Sequence, residues 1–202
     1  MKIAVMTLPT FFVEEDKILS ALFDEGMDNL HLYKPGASPV YYERLLSLLP
    51  EDSYRYITVH EHYYLKGEYP LAGIHLPAAT TALPEGYRGN YSRTCSEIEN
   101  LKTAKKKARY VFLNNTFGTT NEGRELPVLT GEQLSDASRH GLIDRHVYAY
   151  GGITADNIRE IKDLGFGGVV IDSELWNQFD IHNQTDYREL LRHFERLRKA
   201  AW

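Results

Sequence analysis

Cysteine is nearly absent from this chain: Cys95 is the one thiol in 202 residues. No disulfide can form within it, so the fold is expected to rest on burial in a reducing, cytoplasmic compartment. A nucleophilic Cys95 would need a neighbouring base, and the sequence names none. Long apolar runs are missing too. No stretch reaches the roughly eighteen residues that a membrane span needs, and Met1–Thr7 reads as a strand rather than a leader. Cations are nowhere concentrated except at Lys105-Lys106-Lys107. That run closes a helical stretch, where positive charge complements the helix dipole. With a net charge of −5, nucleic acid and membrane surfaces are poor partners.

What the chain does have is a regular alternation. Short apolar segments run over Lys2–Met6, Asn29–Tyr33, Tyr56–Val59, Gly73–Leu76, Tyr91–Thr94, Tyr110–Leu113, His146–Tyr150 and Gly168–Ile171. Several are apolar at every position, as expected of parallel strands covered on both faces. Amphipathic stretches lie between them at Glu14–Asp24, Pro39–Leu48, Cys95–Lys106, Gly131–Arg139, Ala155–Leu164 and Tyr187–Lys199. Glycine or a small residue before an apolar strand recurs as a weak internal repeat. The pattern predicts one α/β domain over residues 1–202, a compact (β/α)8 TIM barrel. Its helices should be shortened or missing around strands three to five, where Pro77–Gly89 reads as loop.

The mouth of such a barrel is built from the C-terminal ends of its strands. Ala149-Tyr150-Gly151-Gly152-Ile153 ends one strand in two glycines, with Thr154 placed as the cap of the next helix. Asp172 and Ser173 end the last strand. Glycine admits an anion close to the backbone, and amides at helix starts receive it. Thr119, Gly151, Gly152, Asp172 and Ser173 are therefore the candidate phosphate-binding residues. Asp172 is expected to turn its carboxylate outward or into a cap. Gly152→Val is expected to block the site and leave folding intact.

Other mouth residues are polar and mixed in charge: Tyr33 and Lys34, His60 to His62, Ser92 to Thr94, and Asn114 with Asn115. His60-Glu61-His62 suggests a metal cluster but lacks a third imidazole or thiolate, so zinc is not expected. Glu61 is the single candidate carboxylate for Mg2+. His31 and His75 occupy equivalent points on even-numbered strands. They read either as hydrogen-bonded interior groups or as acid–base residues facing a ligand.

The order of these segments resembles the thiamine phosphate synthase/TenI family. Val147–Asn157 is similar to the family's apolar–Gly-Gly-Ile segment, which holds a thiazole phosphate. Ala72–Leu76 is similar to its strand ending in Ile/Val-His-Leu. Phe117-Gly118-Thr119-Thr120 is similar to its Val-Phe-Pro-Thr, and Ser92 to the serine opening its Ser-x-His-Thr. The resemblance implies a phosphorylated small-molecule heterocycle as ligand, thiamine biosynthesis or salvage as the setting, and leaves a homo-oligomer open. Departures from the family pattern are as informative. Tyr33 and Pro35 replace an arginine and a lysine after strand two. Ala78-Ala79-Thr80 replaces Gln-Glu-Asp after strand four. Thr94 stands for the histidine of the Ser-x-His segment, and Glu122 for a lysine after Pro-Thr. Two enzyme readings follow. A pyrophosphate-releasing transferase would use Lys34, Glu61 and Ser92 as catalytic residues, whereas a thiazole phosphate isomerase would use His31, His60 or His75. A binding or regulatory protein without turnover is the third reading.

Overall fold

Three-residue strands such as Leu30–Leu32 and Val111–Leu113 leave no side chain exposed, and that decides the architecture. A strand that is apolar on both faces needs cover on both, and a closed parallel sheet ringed by helices supplies it. A computed structural model of the chain describes residues 1–120, 124–183 and 186–202. Glu122 lies outside the described residues. β1 (Lys2–Met6), β2 (Leu30–Leu32), β3 (Ile57–Val59), β4 (Gly73–Leu76), β5 (Tyr91–Cys95), β6 (Val111–Leu113), β7 (Val147–Tyr150) and β8 (Gly168–Ile171) close in sequence order. Every neighbouring pair is parallel, and β1 with β8 shuts the ring. This is the expected (β/α)8 TIM barrel.

The outer ring is uneven. α1 (Glu15–Asp24), α2 (Pro39–Leu48), α5 (Gly131–Arg139), α6 (Ile158–Asp163) and α8 (Arg188–Ala201) cover most of the barrel. α2 begins with Pro39, whose fixed φ suits a first helical turn. α5 begins with a full capping box between Thr130 and Gln133. α3 (Leu65–Glu68), α4 (Leu101–Ala104) and α7 (Ser173–Trp176) are single turns. The helix expected over Cys95–Lys106 is therefore mostly absent. β5 runs on through Cys95, and a 3₁₀ turn at Ile98–Asn100 precedes α4. Thr154 does not cap α6. Asn157 instead accepts from the Thr154 amide at 2.9 Å and donates to the Gly152 carbonyl at 2.8 Å.

Two cores result. The larger lies between sheet and helices, and includes Ile18, Leu22, Leu46, Ile74, Ile161 and Phe194. The smaller fills the barrel itself with Ala4, Met6, Tyr110, Phe112, Tyr148, Tyr150 and Val170. Strand alternation and register sort the interior into layers. His31, His75, Phe112 and Val170 come from the even strands. Met6, His60, Thr94 and Tyr150 lie above them toward the mouth, and Ala4, Thr58, Ser92 and Tyr148 lie below.

Candidate active site

The mouth opens above the layer of Met6, His60, Thr94 and Tyr150. Alternation brings the next residues of the even strands, Tyr33, Asn114 and Asp172, to its rim. The Tyr33 ring lies 5.2 Å from that of His60. Asn114 is buried and accepts from the Thr120 hydroxyl, while its Nδ2 has no partner in the buried interior. A buried amide donor without an acceptor costs about 1–3 kcal/mol, so this N–H₂ is a natural recognition group for a ligand. Burial also pushes the Asp172 carboxyl up to about 6. No side-chain cap bond turns it onto α7. The capping bond expected of Asp172 does not form, and the residue is half-buried just beyond the end of β8.

Gly151 and Gly152 adopt φ of +102° and +68°, conformations that favour glycine. The turn packs backbone to backbone on the loop after β6. The Phe117 amide donates to the Gly151 carbonyl at 2.9 Å, and the Thr116 amide to the Tyr150 carbonyl at 3.1 Å. A Cβ on Gly152 would lie 2.5 Å from the Gly118 nitrogen and would also meet the Phe117 carbonyl carbon. The space beside Gly152 is therefore filled by the 117–118 loop. The expectation that Gly152→Val spares folding does not survive this packing. Across the β7–β8 pairing stand Asp172 and Ser173. The Gly152 and Ser173 amides meet no acceptor among the described residues. Thr119 is exposed on the same loop.

The three candidates for transferase chemistry are occupied elsewhere. Lys34 is fully buried in an ion pair with Glu15, and its ammonium also donates to the Thr10 carbonyl at 2.9 Å. Burial pushes the Glu15 carboxyl up to about 7, against the pull of Lys34, and lowers the Lys34 ammonium. Both Glu61 oxygens accept from the Gly36 amide, at 3.1 and 3.2 Å, and one also from the Tyr42 hydroxyl at 3.2 Å. Ser92 lies in the lowest interior layer, 2.8 Å from Nδ1 of His75.

The histidines do come together. Potential ligand atoms of His31, His60 and His75 all lie within 4.8 Å of one another. Nδ1 of His31 is 2.8 Å from Nε2 of His60, and its Nε2 is 2.8 Å from the Tyr110 hydroxyl. His75 is held between Ser92 and Thr94, at 2.8 and 2.9 Å. Its ring stacks on His60 with centroids 4.2 Å apart. Burial lowers all three, His60 to about 3 and the others well below the usual histidine range. All three are neutral near pH 7. Tyr110 and Asn29, which complete this network, were not among the residues singled out by sequence. Tyr110 shares a strand face with Phe112, but two residues nearer the opposite end of the barrel, where the mouth rule does not look.

A thiamine phosphate pyrophosphorylase from Bacteroides thetaiotaomicron is 46% identical, over 100% of this chain and 98% of its own, with a TM-score of 0.89. The chain belongs to the thiamine phosphate synthase/TenI family. A thiamine phosphate pyrophosphorylase from Pyrococcus furiosus is 19% identical over 99% and 95% of the two chains, with a TM-score of 0.75. A 3-hexulose-6-phosphate synthase, at 12% identity and a TM-score of 0.64, shares the barrel alone. No protein-family model and no curated protein matches the chain. Within the thiamine phosphate synthase/TenI barrel, the Gly151-Gly152 turn follows β7.

Proposed function

We propose that this protein acts on a thiazole phosphate in thiamine synthesis. The phosphate sits against the Gly151-Gly152 turn and the Asp172–Ser173 amides. The heterocycle lies over His60 and Tyr150, within reach of the Nδ2 donor of Asn114. One observation carries the reading: the two glycines hold positive φ beside the end of β8, with the Gly152 and Ser173 amides unused. An anion received by backbone N–H groups needs no cationic side chain at that spot.

The transfer reaction named for the 46% identical relative is the first chemistry to test, because that identity runs the length of the chain. By family resemblance it would displace pyrophosphate from a pyrimidine carrying it. The leaving group would then need cations to absorb its charge. The donor set does not fit Mg2+. Glu61 already accepts from Gly36 and Tyr42, and Ala78-Ala79-Thr80 supplies no second carboxylate. Among the described residues the one cluster of metal-binding groups is the three imidazoles, a poor match for a hard cation.

Isomerisation of the thiazole phosphate is the second reading. It is favoured by the neutral His60 in the layer under the mouth, with the Asp172 carboxyl near the same opening. Two such groups can remove a proton from one atom and return it to another. Calorimetry with thiazole phosphate tests the binding claim, for which saturable binding is the expected result and none would refute it. Pyrophosphate release from a pyrimidine pyrophosphate, with and without Mg2+, then separates the transferase from the isomerase.

A further inference from the structure

We infer that His60 is the acid–base group of this mouth, and that its tautomer is fixed by a hydrogen-bonded chain running down the barrel axis through His31 and Tyr110 to Asn29. The inference rests on the proposal that a thiazole phosphate occupies the mouth. The direction assigned to the chain starts at its far end, where the Thr58 and Ser92 hydroxyls also hydrogen-bond the Tyr110 oxygen. The Tyr110 hydroxyl donates to Oδ1 of Asn29 at 3.2 Å, and a carbonyl oxygen can only accept. The Tyr110 oxygen is left to accept, so the 2.8 Å bond to His31 is a donation from Nε2–H of His31. A neutral imidazole carries one N–H, so Nδ1 of His31 is bare and accepts from Nε2–H of His60 at 2.8 Å. Nδ1 of His60 is then an unprotonated nitrogen. It is the one ring nitrogen of the three histidines without a hydrogen-bond partner.

His60 keeps 9% of its surface exposed, whereas His31 and His75 keep none. The lone pair therefore has access to a ligand. The same accounting argues against a metal. His31 and His75 have both nitrogens engaged, so a three-histidine site would have to break bonds to Tyr110, Ser92 or Thr94. Asn29, Tyr110 and Tyr148 line a cavity of about 270 Å³ at the opposite end of the barrel, together with Lys2, Arg55 and Arg109.

Proton balance is simple. A proton taken from the ligand binds Nδ1 of His60. The imidazolium so formed keeps its Nε2–H on Nδ1 of His31, which steadies the added charge. Nδ1–H of His60 then returns its proton to a different atom of the ligand, which restores the starting tautomer. His60 is the catalytic residue in this scheme, and His31 and Tyr110 are positioning residues.

The first test uses the unaltered protein. Long-range ¹H–¹⁵N spectra should show Nε2–H and a bare Nδ1 for both His31 and His60. The opposite tautomer at His60, or chemical shifts that move on adding Zn2+, would overturn the inference. The second test measures uptake of solvent deuterium into thiazole phosphate. His60→Gln should slow it by about 10²-fold or more. Tyr110→Phe should mix the His60 tautomers in the spectra and slow uptake by roughly tenfold. Tyr110→Phe should retain thiazole phosphate affinity in calorimetry. Unchanged uptake in His60→Gln with binding retained overturns the assignment of His60. Loss of binding in the parent overturns the ligand assignment instead.

Discussion

Adding one methyl group to the turn after β7 tests whether this segment is packed as described. Gly152→Ala imposes a φ of +68° on a residue with a side chain, which costs about 1–2 kcal/mol. It also drives the new Cβ to 2.5 Å from the Gly118 nitrogen. Backbone, not a flexible side chain, must yield there, at an overpacking cost of about 1–3 kcal/mol. The sum is about 2–5 kcal/mol, and at about 2–4 °C per kcal/mol for a chain of this size the melting temperature should fall by about 4–20 °C. Gly141→Ala is the control. Its φ is also +68°, but nothing lies within 4 Å of an added Cβ, so only the conformational cost of about 1–2 kcal/mol applies. Scanning calorimetry of both variants reads the difference directly. If Gly152→Ala melts with Gly141→Ala, the close approach of the two loops is wrong, and with it the shape assigned to the phosphate seat.

The buried pair should behave as a unit. Lys34→Met leaves Glu15 without its cation and should cost about 3–5 kcal/mol; adding Glu15→Leu should recover more than about 1 kcal/mol of this in denaturant unfolding. Strict additivity would mean the two side chains do not interact. His60 should also leave a mark on acid stability. Its folded value of about 3 lies below the ordinary 6.5, so between those pH values the unfolded chain holds one more proton, and stability falls as pH drops. His31 and His75 act in the same direction. Glu15 and Asp172, raised to about 7 and about 6, oppose them, because the folded state keeps their protons longer. His60→Gln isolates one histidine: the slope of unfolding free energy against pH between about 4 and 6 should flatten by about 1.4 kcal/mol per unit. An unchanged slope would mean that His60 is solvated.

The barrel was legible because parallel strands buried on both faces announce themselves as apolar runs, and all eight were found. α5 ran over Gly131–Arg139 as expected, since Thr130 and Gln133 spell its start. The Cys95–Lys106 stretch misled, because acids in a first turn do not make a helix when β5 consumes the first residue. The site was legible where strand alternation holds. His31 and His75 were placed on equivalent strands, and both lie in the barrel interior. At strand ends alternation lapses, and there Lys34 turned to Glu15 rather than to the mouth. The partner of a buried charge sits on another element, here α1, at a distance no local pattern encodes. Tyr110 and Asn29 were missed for the same reason, as they matter only through a chain of contacts across three strands.

A crystal structure of the protein with thiazole phosphate tests the central claim most directly. The account predicts the phosphate within hydrogen-bond distance of the Gly152 amide and of an amide in Asp172–Ser173, with the ring over His60. A phosphate bound elsewhere, with the Gly151-Gly152 turn empty, would contradict it.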